Sequence, residues 1–411
     1  MSTVYVLGAG ASYGYTASPT GVRPPLATAL FKSFFELDVS GDLGTKIGWI
    51  IDYVKDRYGV PPERFGSFDM DAEDLMTALE DDIERHVHRI REGPPYEDLS
   101  ERINIGRDIS AFDQTLFMFT SILNEMVNGP LYENYVTLAT RIGPDDAVLT
   151  FNWDVLLDRT LYEVMSWSPD TGYGIRFESI FEEGWRLPER PWSRQPALLK
   201  LHGSTNWLTR YLTRNQMTGE RAFLGYDRQT TAVTFGVETG DDILNPRLEG
   251  RARPRPHSGH QPFKPQDLRP LCFVSGGRPF DAFNGRFRPG YAPFTYFYSP
   301  LDPNDEVPTS PLIIAPVRHK TYEEYAVILE PLWTRAAQLL HEAHRVVVVS
   351  FSFPPADVRV RELFKPARFR RSIEVVNHYP DRPLATLVDL VGTSDDVRIV
   401  ASSFSEFLDR R

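Results

Sequence analysis

The sequence predicts an α/β fold in which helices pack on a mostly parallel, doubly wound sheet. Thr3–Leu7 is a short apolar run, rich in β-branched residues, that leads directly into a glycine-rich turn. Similar short apolar runs occur at 147–151 and 198–201, and each of them ends in polar residues. Buried parallel strands have this nearly continuous apolar character, and strands that alternate with helices build βαβ units. The expected class is therefore Rossmann-like.

Length and composition exclude several other classes. A chain of 411 residues with 41% hydrophobic residues can bury a large core. No apolar run is long enough to cross a bilayer and the start lacks the basic residues of a signal peptide, so we expect a cytoplasmic protein. The single cysteine, Cys272, excludes internal disulfides and any CxxC zinc module. The net charge of -11 disfavours broad nucleic-acid binding.

The turn at 8–12 reads GAGAS and follows the first strand directly. Glycines at this position let the backbone approach a pyrophosphate, and the next helix start offers free N–H groups. Gly8, Gly10 and Gly14 are spaced one residue wider than the dehydrogenase fingerprint, and no acidic residue closes a second strand about 20 residues later. Hydride transfer is therefore disfavoured, whereas a nucleotide site and a tight turn without a ligand both remain open.

The segment at 17–25, ASPTGVRPP, is too rich in proline and glycine to continue a helix. Its position after the glycine turn suits a lid over a nucleotide, with Arg23 as a candidate phosphate contact. An ordinary connector is the alternative, with Pro25 starting a helix over 26–37.

A helical insertion is expected at 31–139. Leu75, Leu79, Ile83 and Val87 recur at helical spacing, with carboxylates on the other faces. Such charges beside an apolar stripe are typical of a solvated surface rather than of a metal site.

Polar residues follow both of the later strands. Asn152, Trp153 and Asp154 come after the run at 147–151, and His202 follows the run at 198–201. Ligands of open α/β sheets bind outside the carboxyl ends of the strands, so these groups and the glycine turn are expected to meet in one crevice. The alternatives are a helix cap for Asn152 or Asp154 and a structural role for His202.

A proline- and arginine-rich insertion is expected at 207–310. Nine arginine and lysine residues lie between Arg247 and Arg288. A nucleic-acid or partner-binding arm has this composition, as has an irregular surface insertion, and the acidity of the whole chain favours the second.

In this order, the motifs resemble those of the sirtuin-like family. GAGxS stands at 8–12, TxNxD at 150–154 and HG at 202–203. The strand and loop at 345–357 and the run at 375–377 are similar to the family's late elements. The resemblance implies a single sirtuin-like domain, whose core is expected to comprise 1–30, 140–206 and 311–411.

The resemblance implies cleavage of the bond between nicotinamide and ribose in NAD. Such cleavage passes through an oxocarbenium-like state, and an imidazole with a near-neutral pKa suits a general base. By resemblance, Asn152 orients the ribose and the attacking water, and His202 is the base. The other implied contacts are Gly8, Ala9, Gly10 and Ser12 for the pyrophosphate, Trp153 and Asp154 for the nicotinamide carboxamide, and Ser352 and Asn377 for the adenosine side.

The sequence also departs from the family's protein deacetylases. Those enzymes carry a four-cysteine zinc module, which a chain with one cysteine cannot build. Ser350 stands where many members have glycine. The lack of zinc and the long insertion resemble a prokaryotic branch whose members hydrolyse NAD, often in anti-phage defence. That branch implies a regulated homo-oligomer, triggered by a partner ATPase of the HerA type, an Argonaute-like protein or a phage component.

Two other functional classes remain open. One is a module that senses NAD or ADP-ribose without turnover. The other is an NAD-dependent protein deacylase or ADP-ribosyltransferase, which would need a peptide groove. A nuclease would need a metal cluster, and the sequence shows no persuasive one.

Overall fold

A computed structural model of the chain describes most of its two ends and parts of its middle. The basic stretch at 251–257 and most of the insertion at 207–310 lie outside the described residues. The described residues are 2–18, 21–26, 29–36, 47–92, 99–126, 130–177, 179–181, 185–189, 194–210, 212–214, 221–223, 231–234, 273–274, 278–279, 295–299, 302–318, 320, 322–365, 372–392 and 396–410.

Two larger sheets and two small hairpins contain the described strands. In chain order these strands are β1 (Thr3–Leu7), β2 (Ala147–Thr150), β3 (Ser179–Phe181), β4 (Trp185–Arg186), β5 (Ala197–Lys200), β6 (Gly203–Arg210), β7 (Leu212–Arg214), β8 (Arg221–Phe223), β9 (Thr231–Thr234), β10 (Phe273–Val274), β11 (Arg278–Pro279), β12 (Thr295–Ser299), β13 (Asp302–Ile313), β14 (Arg345–Val349), β15 (Ile373–Val376) and β16 (Val397–Ala401).

Helices flank the central sheet and fill the segment between β1 and β2. Two 3-10 helices, Pro62–Ser67 and Glu323–Tyr325, accompany them. The described α-helices are α1 (Gly10–Tyr13), α2 (Leu30–Glu36), α3 (Gly48–Tyr58), α4 (Ala72–Glu92), α5 (Leu99–Met126), α6 (Glu133–Ala139), α7 (Leu156–Met165), α8 (Pro169–Gly172), α9 (Ala326–Glu342), α10 (Val358–Phe364), α11 (Asp381–Val391) and α12 (Phe404–Asp409).

The central sheet is parallel and has the strand order β16-β15-β14-β1-β2-β5. The chain builds β1, β2 and β5 outward in one direction, then returns to the other side of β1 for the remaining three strands. The predicted Rossmann-like, doubly wound α/β class is thereby confirmed. In such a sheet the strand order reverses between β1 and β14, and a crevice opens there at the carboxyl edge.

The amphipathic helix predicted from the apolar stripe is α4. Leu75, Leu79, Ile83 and Val87 are all buried. Helices α2, α3 and α4 each pack against the long helix α5, so this part of the chain forms its own helical layer beside the sheet. No described helix is both long enough and apolar enough to span a membrane.

A second sheet, with the order β12-β13-β6-β9-β3-β4, has no counterpart among the predicted elements. Strand β6 begins one residue after His202, so the link between the two sheets holds this side chain. Gly203 has φ 81°, and a Cβ there would lie 2.1 Å from the carbonyl oxygen of Leu312. Glycine is therefore required where the chain crosses from one sheet to the other.

Candidate functional site

The carboxyl ends of all six strands of the central sheet face one cleft of about 1040 Å³. The cleft lies at the edge where the strand order reverses, which is the expected ligand position in this fold. The residues that line it directly after the strands are Ala9 and Gly10 after β1, 151–154 after β2, His202 after β5, 350–352 after β14, 377–379 after β15, and Ser402 and Ser403 after β16.

The glycine turn packs tightly against the end of β14. The Gly8 N–H donates to the Val349 carbonyl at 3.0 Å, and a Cβ on Gly8 would lie 2.4 Å from the Ser350 carbonyl oxygen. A Cβ on Gly10 would lie 2.8 Å from the Ser350 Cβ. Packing against this neighbour therefore requires both glycines. The N–H groups of Ala9 and Gly10, which line the cleft, have no acceptor among the described residues.

Hydrogen bonds hold the Asn152 side chain against this turn. Its Nδ2 donates to the Gly8 carbonyl at 3.0 Å and to Ser12 Oγ at 3.3 Å. A carbonyl can only accept, so the network fixes which end of the amide faces the turn. The Asn152 Oδ1 accepts no hydrogen bond from the described part of the chain, and the residue lines the cleft. A helix cap, the alternative role considered for Asn152, does not match this geometry.

Ser12 lies behind the cleft wall. Its hydroxyl donates to Asp154 Oδ2 at 2.9 Å, so the Tyr135 hydroxyl, 2.6 Å away, must be the donor in their contact. With the contact from Asn152, the Ser12 oxygen has no free hydrogen-bonding capacity, and the residue is 1% exposed. The pyrophosphate contact expected of Ser12 stays a prediction. The N–H and the carbonyl of Gly8 are both engaged as well, so its expected pyrophosphate contact also stays a prediction.

Asp154 supports the fold beneath the cleft. Besides the bond from Ser12, its Oδ1 accepts the N–H of Leu156 at 3.1 Å, at the start of α7. Burial raises the pKa of Asp154 above its usual range, and the nearby Lys200 opposes that shift. Each carboxylate oxygen already accepts one hydrogen bond, and the expected contact of Asp154 with a nicotinamide carboxamide stays a prediction. The alternative role at the helix start is the one that the structure shows.

Trp153 presents an unused donor. Its indole packs edge-on against Phe119, with ring centroids 5.2 Å apart. The Nε1 atom is buried and has no acceptor among the described residues, and the residue lines the cleft. The Trp153 carbonyl accepts the N–H of Thr205 at 3.0 Å, which ties this segment to β6. A buried N–H without a partner is costly.

A buried ion pair holds the same segment from below. Lys200 and Asp158 are 0% and 1% exposed, and Lys200 Nζ lies 3.1 Å from Asp158 Oδ2. Lys200 also donates to the backbone carbonyl of Asp154. Tyr173 completes the group with a short hydrogen bond to Asp158. The loop after β2 is therefore fixed by groups that do not reach the cleft.

His202 lines the cleft from the link between the two sheets and is 5% exposed. Its ring packs edge-on against Phe151, with centroids 5.1 Å apart. Nε2 lies 3.2 Å from the Tyr322 hydroxyl and 3.7 Å from Asp357 Oδ1. Burial lowers the pKa of His202 from 6.5 to about 4, against a smaller opposing effect of Asp357. The imidazole is therefore neutral at pH 7 and able to accept a proton.

Sequence reasoning assigned no role to several residues around His202. Lys320 Nζ lies 2.6 Å from Asp357 Oδ1, and both residues line the cleft. Glu73 lines it as well, from the start of α4. Asp357 lies in the loop after β14, and this position after a strand end could have predicted that it lines the cleft. Lys320 and Tyr322 follow β13 irregularly, and no local pattern marks them.

The remaining predicted contacts lie toward the other end of the cleft or outside it. Ser352 is exposed and lines the cleft; Asn377 is half-buried and lines it too, and its Oδ1 accepts the N–H of Tyr379 at 2.9 Å. Arg23 is exposed and does not line the cleft. Its guanidinium carbon lies 5.6 Å from the centroid of the Tyr13 ring, which does. Arg23 is thus placed at the rim.

The chain is similar, with low TM-scores, to solved structures of Sir2 proteins. Sir2Tm bound to a propionylated peptide gives a TM-score of 0.32 at 13% identity, covering 100% of this chain and 91% of that chain. A Sir2–p53 peptide–NAD+ complex gives 0.34 at 13% identity, with 100% and 91% covered. An ADP-ribose complex of a mutant Sir2 homologue gives 0.32 at 11% identity, with 83% and 94% covered. Such scores do not establish a family; the fold class follows from the strand order of this chain.

No protein-family model and no curated protein matches the sequence.

Proposed function

We propose that the protein is an NAD glycohydrolase, which cleaves NAD to nicotinamide and ADP-ribose. One observation carries the proposal. An amide of fixed orientation, Asn152, and an unprotonated imidazole, His202, line one cleft beside a glycine turn with free N–H groups. The same groups form the motifs that resemble the sirtuin-like family, in the same order along the sequence.

The unused donors of the cleft suit the polar parts of a dinucleotide. The free N–H groups of Ala9 and Gly10 are proposed to bind the pyrophosphate, as backbone donors at such turns commonly do. Helix α1 has only four residues, so these local N–H groups provide the contact, rather than a long helix dipole. Trp153 Nε1 is proposed to donate to the nicotinamide carboxamide. Ser352 and Asn377 are proposed to contact the adenosine side, and Arg23 a phosphate at the rim.

The proposed reaction assigns one task to each of two side chains. Asn152 Oδ1 accepts a hydrogen bond from the ribose or the attacking water and thereby fixes their position. The bond between C1′ of the ribose and nicotinamide breaks, and its electron pair leaves with the neutral ring. His202 takes a proton from the water as its oxygen bonds to C1′, and later returns that proton to solvent. The products are nicotinamide, ADP-ribose and one proton.

The biological setting is proposed from the motif resemblance alone. We place the activity in the cytoplasm, in a zinc-free homo-oligomer that acts as the effector of a bacterial anti-phage system. Uncontrolled loss of NAD would harm the cell, so low resting activity is expected. A HerA-type ATPase, an Argonaute-like protein or a phage component is the proposed trigger.

The test is to follow nicotinamide release from NAD by chromatography, with and without the products of neighbouring genes. We expect release by the wild-type chain and a loss of at least about 100-fold in Asn152→Ala and His202→Ala, because each removes a group that acts at the reacting carbon.

Matched controls separate chemistry from folding. His88→Ala removes an exposed histidine on α4, and Asn104→Ala removes an asparagine on α5 that does not line the cleft. Both should keep full activity, and all four variants should keep the wild-type circular dichroism spectrum. Full activity in well-folded Asn152→Ala and His202→Ala would remove the assignment. Release that depends on an added acylated peptide would identify a deacylase instead.

A second candidate is a module that binds NAD or ADP-ribose without turnover. The observation that favours it is the pKa of His202, because an imidazole with a pKa of about 4 is a weak base at pH 7. This candidate predicts binding of NAD by calorimetry without nicotinamide release under any of the activating conditions.

A further inference from the structure

The charged side chains that line the cleft differ between its two ends. Glu73, Asp154, Lys320 and Asp357 line it together with His202, whereas Arg382 lines it beyond β15, at the start of α11. Lys320 and Asp357 neutralise each other as an ion pair at 2.6 Å. The carboxylate of Glu73 adds a further negative charge to the cleft wall.

The Glu73 carboxylate makes no hydrogen bond or ion pair with the described residues. Only its backbone is engaged, through an N–H that donates to Asp71 Oδ1 at 2.7 Å. Burial is the main cause that raises the pKa of Glu73; Lys320 opposes the shift and Asp357 adds to it. The start of α4 also contacts the segment that carries Lys320, because the N–H of Arg318 donates to Thr77 Oγ1 at 2.9 Å. A partly buried carboxylate without a partner is a suitable site for a cation.

We infer that Glu73 selects the oxidised dinucleotide by holding the positive charge of its nicotinamide ring. The inference rests on the proposed function, since it places the nicotinamide at the His202 end of the cleft. The nicotinamide ring is cationic in NAD+ and neutral in NADH, while the rest of the molecule is the same. The opposite end of the cleft, with Arg382, suits the anionic pyrophosphate and adenosine side.

The same interaction bears on cleavage. As the glycosidic bond breaks, the positive charge passes from the ring to the ribose, and a fixed carboxylate nearby stabilises that charge without reorganising. Glu73 belongs to the helical insertion rather than to the sheet, so the insertion supplies the charge selectivity of the site.

The test compares dissociation constants by calorimetry for carba-NAD+, a carbocyclic analogue that resists hydrolysis, and for NADH. The wild-type chain should bind carba-NAD+ more tightly than NADH, and Glu73→Gln should lower that preference about tenfold, as expected for the loss of one charge contact in a partly solvated site. Glu73→Gln preserves the shape of the side chain. Its affinity for NADH and for ADP-ribose, which lack the cationic ring, should stay at the wild-type value.

Asp74→Asn is the matched control, because it removes the neighbouring carboxylate of α4, which is exposed and pairs with Arg318. It should leave the preference unchanged. An unchanged preference in Glu73→Gln, or an equal loss in Asp74→Asn, would overturn the inference. Nicotinamide release distinguishes a failure of the role of Glu73 from a failure of the proposed function. If the wild-type chain binds and cleaves NAD and Glu73→Gln keeps the preference, only the role of Glu73 is refuted. A wild-type chain that binds neither dinucleotide refutes the proposed function together with this inference.

Discussion

At His202, the burial that places the imidazole in the cleft also sets its protonation state. The ring is surrounded by Phe151, Tyr322 and Trp333, and only one carboxylate, Asp357, lies near its Nε2 among the described residues. Removal from water disfavours the cation more than this carboxylate favours it. The fold therefore keeps the imidazole neutral, at a free-energy cost when protons are abundant.

The neutral state of the buried His202 imidazole predicts that the stability of the fold depends on pH. The pKa of His202 is about 4 in the folded chain, against 6.5 when the side chain is unperturbed. Between these values the unfolded chain binds more protons, so the free energy of unfolding decreases as the pH falls through this window and levels off below about 4. We expect His202 to account for a loss of about 2 kcal/mol between pH 7 and pH 5, measured by urea unfolding.

His202→Gln is the control, because it removes the titrating group and keeps a polar atom near Tyr322. Carboxylates contribute equally to both proteins, so the difference between their pH profiles isolates the histidine. Parallel profiles for wild type and His202→Gln would show that His202 titrates normally.

Ser12 shows where prediction at the level of single residues ends. The motif marked this position, and the structure places the residue behind the cleft wall. Its partners Tyr135 and Asp154 are 123 and 142 positions away in the sequence, and only the fold shows that, together with Asn152, they use the hydrogen-bonding capacity of the hydroxyl. A residue type and its spacing can place a residue near a site, but they do not show whether its side chain faces the cleft or packs behind it.

At the scale of elements, the turn between β1 and α1 is shaped by the end of β14. Ser350 adopts φ 50°, in the left-handed region, and its Cβ occupies the space that a side chain at position 10 would need. The left-handed region costs a non-glycine residue about 1–2 kcal/mol. The glycine expected at position 350 from the motif resemblance would therefore fit this backbone.

The close approach of Gly10 to the Ser350 Cβ predicts that one substitution can restore the stability lost through another. Gly10→Ala should lower the free energy of unfolding by roughly 1–3 kcal/mol, because its Cβ meets the Ser350 Cβ. Ser350→Gly alone should change stability by no more than about 1 kcal/mol, since relief of strain offsets the greater entropy of the unfolded chain. The double variant should recover most of the loss, because the next atom, the Ser350 carbonyl oxygen, is 3.5 Å away. Urea unfolding measures all three.

Gly8→Ala supplies the control for this rescue. Its Cβ would meet the backbone oxygen of residue 350, which Ser350→Gly cannot remove. Equal rescue of Gly8→Ala and Gly10→Ala by Ser350→Gly would contradict the contact described here.

The elements that the sequence revealed are those with uniform local patterns. Strands β1, β2 and β5 are continuous apolar runs and were predicted with nearly correct bounds. Helix α4 has a clear apolar stripe, which predicted a helix there without its bounds. The second sheet is built from short strands scattered over 179–313, without a shared periodicity. Lys320 and Tyr322 reach the cleft from an irregular segment, and their position depends on how β13 returns toward the central sheet.

At the scale of the whole molecule, the reversal of strand order between β1 and β14 places the cleft. Residues from both ends of the chain meet there because β1 is the centre of the sheet and the last three strands extend beyond it. The parallel sheet and the convergence of several strand ends followed from the sequence. The sequence predicted a helical insertion at 31–139 but gave it no part in the site, yet Glu73 and Phe119 of this segment line the cleft. Contacts between distant segments of this kind have no local signature.

The most direct test of the account is a crystal structure of the chain with carba-NAD+. We predict that the dinucleotide lies in the cleft, with its pyrophosphate at the Ala9 and Gly10 N–H groups. The carbocyclic ring that replaces the ribose of the nicotinamide half should have a hydroxyl group within hydrogen-bonding distance of Asn152 Oδ1, and His202 should lie beside the same ring. A dinucleotide bound elsewhere, or one with its adenine beside Asn152 and His202, would contradict the proposal that these two side chains act on the same sugar.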